Sequence, residues 1–314
     1  MTGDEIQIVA IVGAGTMGPG MAATFARFGC TTRLTDVKPD VLERAKATVD
    51  VVYKTLINGG FMTEADAEAG RSRISYTLSM EEALQDADFV VEAIPEKLEI
   101  KHSFFREAEK LVRPDAILAS NTSGIPITKI AEACTHPDRV IGMHWSNPPH
   151  MIPVIEVITG AKTGDAAVAA TRRIIERIEM IPVLVKKDVP GFVENRILYA
   201  IMREALHLLQ EGVASAADID TVTKWGIGYK LSVIGPLELL DVAGLDIYHS
   251  VASYLNADLS SSSTVSPAIA ERVERGELGI KSGKGLFAYT PEEIPALVQR
   301  RGKALMAVKK ALTS

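Results

Sequence analysis

Ser123, His144 and Glu156 fall in one stretch, NTSGIPITKIAEACTHPDRVIGMHWSNPPHMIPVIE, and each has the type and local context of a group that moves a proton. Residues 139–144 (RVIGMH) have the apolar content of a short buried strand, residues 152–158 (IPVIEVI) that of a second, and the turn-rich NPP lies between them. His144 is therefore expected at the carboxyl end of one strand, with Glu156 projecting from the next. A carboxylate beside an imidazole holds one tautomer and stabilises the imidazolium, so the pair reads as a general base with its orienting acid. Removal of a proton from an alcohol is the chemistry this suits. The alternative is a satisfied core histidine with a surface glutamate, and the residues upstream weigh against it.

The chain opens with an apolar run, Ile6 to Val12, that passes directly into GAGTMG. Gly13, Gly15 and Gly18, with Thr16 and Met17 filling the turn, have the G-x-G-x-x-G spacing. A helix follows that carries Met21, Ala22, Phe25 and Ala26. In such a turn the first glycine permits the tight bend, the second lets backbone approach a pyrophosphate, and the third lets helix and strand pack closely. A second strand, Thr31 to Thr35, ends in Asp36, where an acidic residue accepts the two ribose hydroxyls of NAD and repels a 2′-phosphate. NAD is the expected cofactor, with Lys38 leaving NADP open.

Beyond Asp36 the pattern alternates. Helical residues 39–70 lead to a short strand at 73–77 and a helix at 80–86. The buried strand of DFVVEAIPE, a helix at 97–112 and the strand AILAS follow, and AILAS delivers NTSG at its carboxyl end. Strands alternating with helices at this period specify a doubly wound parallel sheet, whose ligands lie outside the carboxyl ends of the strands. The glycine turn, Asp36, Glu92, Ser123 and His144 all fall at such ends. A helix at 165–178 and a strand at 183–186 complete an N-terminal Rossmann-type α/β domain of residues 1–187. After KKDVPG the pattern is helical only, so residues 188–314 are expected as an all-α C-terminal domain. In its first helix, 192–210, Asn195 lies on the flank of a polar stripe, either facing a cleft or serving as a helix-start residue. WGIGYKLSVIGP reads as a glycine-punctuated loop, NADLSSSSTVSP (256–267) as a surface loop, and the chain ends in a basic helix.

Composition sets the outer limits. With 314 residues, 47% of them hydrophobic and 24% charged, the chain exceeds what one core serves. A net charge of -6 and no basic stripe interleaved with aromatics argue against a nucleic-acid partner. No apolar run reaches the length of a membrane span, and Asp4 and Glu5, not a basic segment, precede IQIVAIVGAG. Cys30 and Cys134 have no metal-like spacing, so no metal is expected and a reducing cytoplasm fits. Apolar surface in 192–210 and around Leu237 to Tyr248 points to a homodimer.

Taken as a set, GAGTMG, VVEAIPE, NTSG, H-x-x-NP with a Glu in the following strand, PGF-x-x-NR, GP-x-ELLD and K-x-G-x-G-x-F resemble the 3-hydroxyacyl-CoA dehydrogenase superfamily over almost the whole chain. The resemblance implies hydride transfer between substrate and nicotinamide, with His144 as base and Glu156 as its partner. It places Ser123 and Asn195 on the reacting oxygen, and Gly13, Gly15, Gly18, Asp36, Glu92, Asn147 and Lys281 with NAD. Members acting on CoA esters carry a lysine-rich stretch after the second strand, whereas this chain has TLINGGF, with Asn58, Gly59 and Phe61 where cations would be wanted. NPPHMIPVIE and a longer segment between Gly228 and Gly235 are similar to the branch that handles free small acids. That branch includes L-gulonate dehydrogenase and lambda-crystallin, and HWSNPPH, VKKDVPGFVENR, WGIGYK and AGLDIY resemble its pyridine-carboxylate dehydrogenase of vitamin B6 degradation. The favoured substrate is thus a small free carboxylate, a formyl-hydroxy-methylpyridine carboxylate or a β-hydroxy acid. The alternatives are 3-hydroxybutyryl-CoA and a non-enzymatic, crystallin-like role. Lys230, in the lengthened segment, is the candidate cation for the substrate's acid group, against the reading of a solvated surface lysine.

Overall fold

Eight short strands, β1 (Ile8–Val12), β2 (Thr31–Thr35), β3 (Ile74–Thr77), β4 (Phe89–Glu92), β5 (Ile117–Ser120), β6 (Val140–Trp145), β7 (Val154–Ile158) and β8 (Ile181–Val185), form one sheet in the computed structural model, which describes residues 3–313. Their order is β3-β2-β1-β4-β5-β6-β7-β8, and β1 to β6 run parallel. This is the dinucleotide-fold order, with its reversal between β1 and β4. The expected parallel sheet is extended by two strands of opposite sense: β7 pairs antiparallel with β6, and β8 parallel with β7. Residues 146–153 are too few for a crossover helix, so β7 can only return beside β6 in the antiparallel sense.

Period-two alternation divides the strand residues between two cores. Val9, Ile11, Phe89 and Val91 face a cluster with α1 (Gly18–Arg27), α2 (Pro39–Asn58), α3 (Glu64–Ser72) and α7 (Asp165–Arg177). Ala10, Val12 and Val90 face the other, with α4 (Met80–Leu84), α5 (Leu98–Leu111) and α6 (Ile127–Ala131). Phe25 of α1 is fully buried edge-on to Trp145 of β6, ring centroids 5.6 Å apart, which fixes the first helix to the strand that carries His144. Burying each such ring contributes about 1.5–3 kcal/mol.

The chain divides into two compact units. One reaches Asn195 and takes in Leu305–Lys309; the other holds Arg196–Ala304 and the residues from Lys310. In the first unit, Met306 of the last helix, α14 (Glu293–Thr313), is buried in the α1–α3 core. A Cβ added at Gly59 would come 2.8 Å from the Met306 Cε, and the half-buried Lys309 ammonium lies 5.6 Å from the Phe61 ring centroid. The TLINGGF turn is therefore packed under α14.

The second unit consists of most of α8 (Glu194–Gln210), α9 (Ala216–Val222), α10 (Tyr229–Leu231), α11 (Pro236–Ala243), α12 (Leu245–Asp258), α13 (Pro267–Glu274) and part of α14. The helix expected from Phe192 starts at Glu194, because Gly191 (φ 78°) and Phe192 (φ 50°) turn the chain first. The loop expected at WGIGYKLSVIGP is largely helical. Thr223–Gly228 forms a π-helical segment continuous with α9 and α10, and the turn at residues 232–235 breaks the run before Pro236 starts α11. Gly226 and Gly228 thus sit inside a wide helical turn, a form enriched at functional sites. No residue of α8 to α13 is fully buried. Among the described residues, no helix is long and apolar enough to cross a membrane.

Candidate active site

His144 and Glu156 are register partners in the β6–β7 pair. Their side chains meet at 2.8 Å between Nδ1 and Oε2, with 6% and 2% of each residue exposed. The second Glu156 oxygen accepts the backbone N–H groups of Val193 (2.9 Å) and Glu194 (3.1 Å) at the start of α8. Burial alone would raise the Glu156 carboxyl, but the bonds from His144, Glu194 and Val193 outweigh it and hold the pKa below the ordinary carboxylate range. Phe192, 1% exposed and 5.9 Å from the His144 ring, closes the other side. A bulky residue at positive φ is costly, and the two bonds to Glu156 just after it help to hold the chain there.

The start of α8 makes two further ties. Ser146 Oγ donates to Oε2 of Glu194, and Asn195 Nδ2 donates to the Ser123 carbonyl at 2.9 Å. The ligand-type atoms of His144, Glu156 and Glu194 all lie within 4.8 Å of one another. His144 Nδ1, both Glu156 oxygens and one Glu194 oxygen are engaged with each other, with backbone N–H groups and with Ser146, which suits proton transfer better than metal ligation.

Ser123 lies on the exposed loop after β5. That loop is anchored by Glu96, whose Oε1 accepts from Thr122 Oγ1 (2.5 Å), Ser123 N (2.9 Å) and Gly124 N (3.2 Å). Burial pushes the Glu96 carboxyl up, but the bonds from Thr122, Lys101 and Ser123 bring it below its ordinary value. Asn121 adds a second anchor by accepting Trp145 N at 2.8 Å.

Glu92, expected to meet the cofactor, has a different occupation. Its carboxylate is 0% exposed and accepts from Lys101 Nζ (2.7 Å), Ile94 N (2.8 Å) and Ser120 Oγ (2.6 Å). Lys101 also reaches Glu96 at 3.2 Å, so one buried ammonium holds both glutamates, which in turn accept from Ser120 at the end of β5 and from the loop after it. An acidic residue at a strand end looks like a ligand group in sequence; here it is a brace behind the loop that carries Ser123.

At the switch point, Gly13 (φ 107°) runs so close to β4 that a Cβ would come 2.4 Å from the Ala93 carbonyl oxygen. Gly18 is as tightly held, 2.1 Å from the Gly13 carbonyl oxygen by the same measure, whereas Gly15 has open space around it. Thr16 is exposed and half-buried Met17 precedes α1 with no side-chain cap, so the helix N-terminus is open to an anion. Asp36, at the end of β2, accepts Ala14 N (2.9 Å) and Lys38 N (3.1 Å), one bond on each oxygen. A carboxylate has about four acceptor sites, so it keeps capacity for a diol.

The sequence model of the 3-hydroxyacyl-CoA dehydrogenase NAD binding domain matches residues 8–189, and that of the same family's C-terminal domain matches residues 191–289. The chain belongs to the 3-hydroxyacyl-CoA dehydrogenase family. It is 50% identical over 307 residues to the 5-formyl-3-hydroxy-2-methylpyridine 4-carboxylate 5-dehydrogenase of Mesorhizobium japonicum, covering 98% of each chain. A crystal structure of an enzyme of that name, described as an NAD+ dependent dismutase, superposes with a TM-score of 0.93 at 49% identity, over 98% of this chain and 99% of the other. A probable 3-hydroxybutyryl-CoA dehydrogenase of Bacillus subtilis is 37% identical over 91% of this chain and 98% of its own.

As an NAD-dependent dehydrogenase the protein needs a pyrophosphate cradle and a ribose acceptor, and the open backbone at Gly15, the uncapped N-terminus of α1 and Asp36 fit both. Asn147 is exposed just beyond β6. Lys281, in the short 3-10 turn Ile280–Ser282, and Lys230, in α10, are exposed residues of the helical unit. Glu96, Lys101, Ser146 and Glu194 escaped the sequence reading. A signal exists for Lys101 alone, a lysine in the first turn of the helix that follows a buried strand's acidic end; the others look like solvated polar residues.

Proposed function

We propose that this dehydrogenase oxidises a small free carboxylate, with 5-formyl-3-hydroxy-2-methylpyridine 4-carboxylate as the first candidate and a β-hydroxy acid as the second. His144 takes the substrate proton through Nε2 while Glu156 fixes the ring through Nδ1. Ser123 and Asn195 orient the reacting oxygen, and Lys230 binds the acid group. Bound NAD supplies the hydride acceptor, held by the glycine turn and Asp36. In this reading residues 1–187 form the NAD-binding domain and residues 188–314 a helical substrate and dimerisation domain.

The observation that carries the substrate choice is the Asn58–Phe61 turn. Where CoA-ester enzymes would present cations to phosphates, the turn itself carries none; Met306 packs against it, and the cations beside it are engaged with Phe61, Arg27 on its carbonyl and Lys309 over its ring. Identity to the Mesorhizobium enzyme across 98% of the chain supports the same choice. NADH formation should be followed with the pyridine aldehyde acid, free β-hydroxy acids and 3-hydroxybutyryl-CoA. The highest kcat/KM is expected for a free acid, and turnover of the CoA ester alone would overturn the proposal.

A homodimer is part of the same reading. Tyr199, Trp225, Leu237 and Val242 are each more than 60% exposed on helices that bury no residue fully, more apolar surface than a solvated unit leaves open. A second copy is the occupant proposed, in the cytoplasm, where NAD and two unpaired thiols are at home. A monomeric mass in solution at micromolar concentration would contradict it.

A further inference from the structure

Oxidising an aldehyde by hydride transfer first requires a nucleophile on the carbonyl carbon, since the aldehyde has no O–H proton to lose. A thiol or a water can supply it. Cys30 is 0% exposed inside the core, and Cys134 is half-buried with its thiol pushed up to about 12 by burial. Water is left. Its addition needs a base for the water proton and an acid for the carbonyl oxygen, and the hydrate then needs a base for its own proton. His144, whose Nδ1 is tied to Glu156, offers one nitrogen for these tasks.

Resting on the pyridine-aldehyde reading above, we propose that Glu194 is the second acid–base residue of this site, the one that deprotonates the water. It is half-buried, and its carboxylate lies within 4.8 Å of both the His144 ring nitrogen and the Glu156 carboxylate. Ser146 Oγ fixes one of its oxygens. Glu156, with bonds on both oxygens from His144, Val193 and Glu194, is already committed to holding the imidazole and the helix, so it is not the group that turns to water.

The water oxygen bonds to the formyl carbon as one water proton passes to the Glu194 carboxylate, and the carbonyl oxygen becomes the second hydroxyl by taking the proton of the His144 imidazolium. The hydrate's C–H then leaves as hydride to NAD+, which is reduced to NADH, while neutral His144 takes a hydroxyl proton and the carboxylic acid forms. Glu194 releases its proton to solvent. The net change is aldehyde, water and NAD+ to acid, NADH and one proton. Reduction of the same aldehyde by NADH needs only the proton from His144, so the two directions differ in their need for Glu194.

The test measures both half-reactions of full-length protein with 5-formyl-3-hydroxy-2-methylpyridine 4-carboxylate: acid formed with NAD+ and alcohol formed with NADH, in wild type, Glu194→Gln and Ser146→Ala. The ratio of acid to alcohol rates should fall at least about tenfold in Glu194→Gln, a modest share of what a general base contributes. Ser146→Ala, which keeps the carboxylate and loosens it, should lower the ratio less, and it carries the test should Glu194→Gln fail to fold. A ratio that stays put, or loss of both half-reactions together in variants that still bind NADH, overturns the assignment. Wild-type protein that makes neither product overturns the substrate reading and this inference with it.

Discussion

Glu156 stands opposite His144 in the antiparallel β6–β7 pair and holds Nδ1 at 2.8 Å with one oxygen, while its other oxygen accepts the first N–H groups of α8. One carboxylate thus sets the imidazole tautomer and anchors the helix that brings Asn195 to the Ser123 loop. With the Nδ1 hydrogen donated to Glu156, Nε2 is the nitrogen left to take a substrate proton.

The buried Lys101–Glu92 pair should be more costly to break than to delete. Lys101→Met strands the Glu92 carboxylate with no counter-charge at 0% exposure, and loss of one partner of such a pair costs about 3–5 kcal/mol. Glu92→Gln added to it should recover much of that loss. Denaturant melts of the two variants check this, and equal stability of the single and double variants would go against it.

Asp36 should set cofactor choice. Its carboxylate is held to the glycine turn through Ala14 N, beside the open backbone of Gly15. Wild-type protein should prefer NAD over NADP in kcat/KM, and Asp36→Ala should narrow the preference by removing the charge that repels a 2′-phosphate. An NADP preference in the wild type would show that Arg33 or Lys38 dominates instead.

Acid should destabilise the fold in a defined window. Burial, and next Lys309, push the His150 imidazole down to about 4 from 6.5, so between those values the unfolded chain binds a proton that the folded chain does not. Stability therefore falls as pH drops through that window. Glu156 and Glu96 act in the same sense. Their lowered folded pKa values contribute stability that is full above the ordinary carboxylate range and lost as pH falls through the lowered values. The melting temperature should drop from about pH 7 to about pH 4, and His150→Leu should flatten the upper part of that slope. An unchanged slope would remove His150 from the account.

Much of this was legible in the sequence for reasons the structure makes plain. Alternation in IVAIV and FVVE assigns residues to two cores, and the G-x-G-x-x-G turn between strand and helix admits few other folds. His144 and Glu156 could be paired because a short connection between two apolar runs forces an antiparallel return. Glu92 was misread because burial of a charge is a tertiary fact: nothing within VVEAIPE shows that Lys101 folds back onto it. Glu194 was missed for the same reason, since a glutamate in the first turn of a helix is the ordinary choice there. The π-helical segment looks like a loop in sequence because glycines at 226 and 228 lower helix propensity, which continuity with α9 overrides.

Lys230 should matter to the substrate and not to the cofactor. It is exposed in α10, immediately after the π-helical segment. A charge-assisted bond to a carboxylate contributes about 1.5–3 kcal/mol, so Lys230→Met should raise KM for the free acid at least about tenfold and leave the NAD dissociation constant alone. An unchanged KM would return the residue to a solvated surface role.

The most direct measurement is steady-state oxidation of the preferred free acid by His144→Ala, with NAD binding measured on the same protein. If His144, oriented by Glu156, is the base, kcat/KM should fall by about 10² to 10⁴ while the NAD dissociation constant stays within about twofold. Near-normal turnover by His144→Ala would contradict the account.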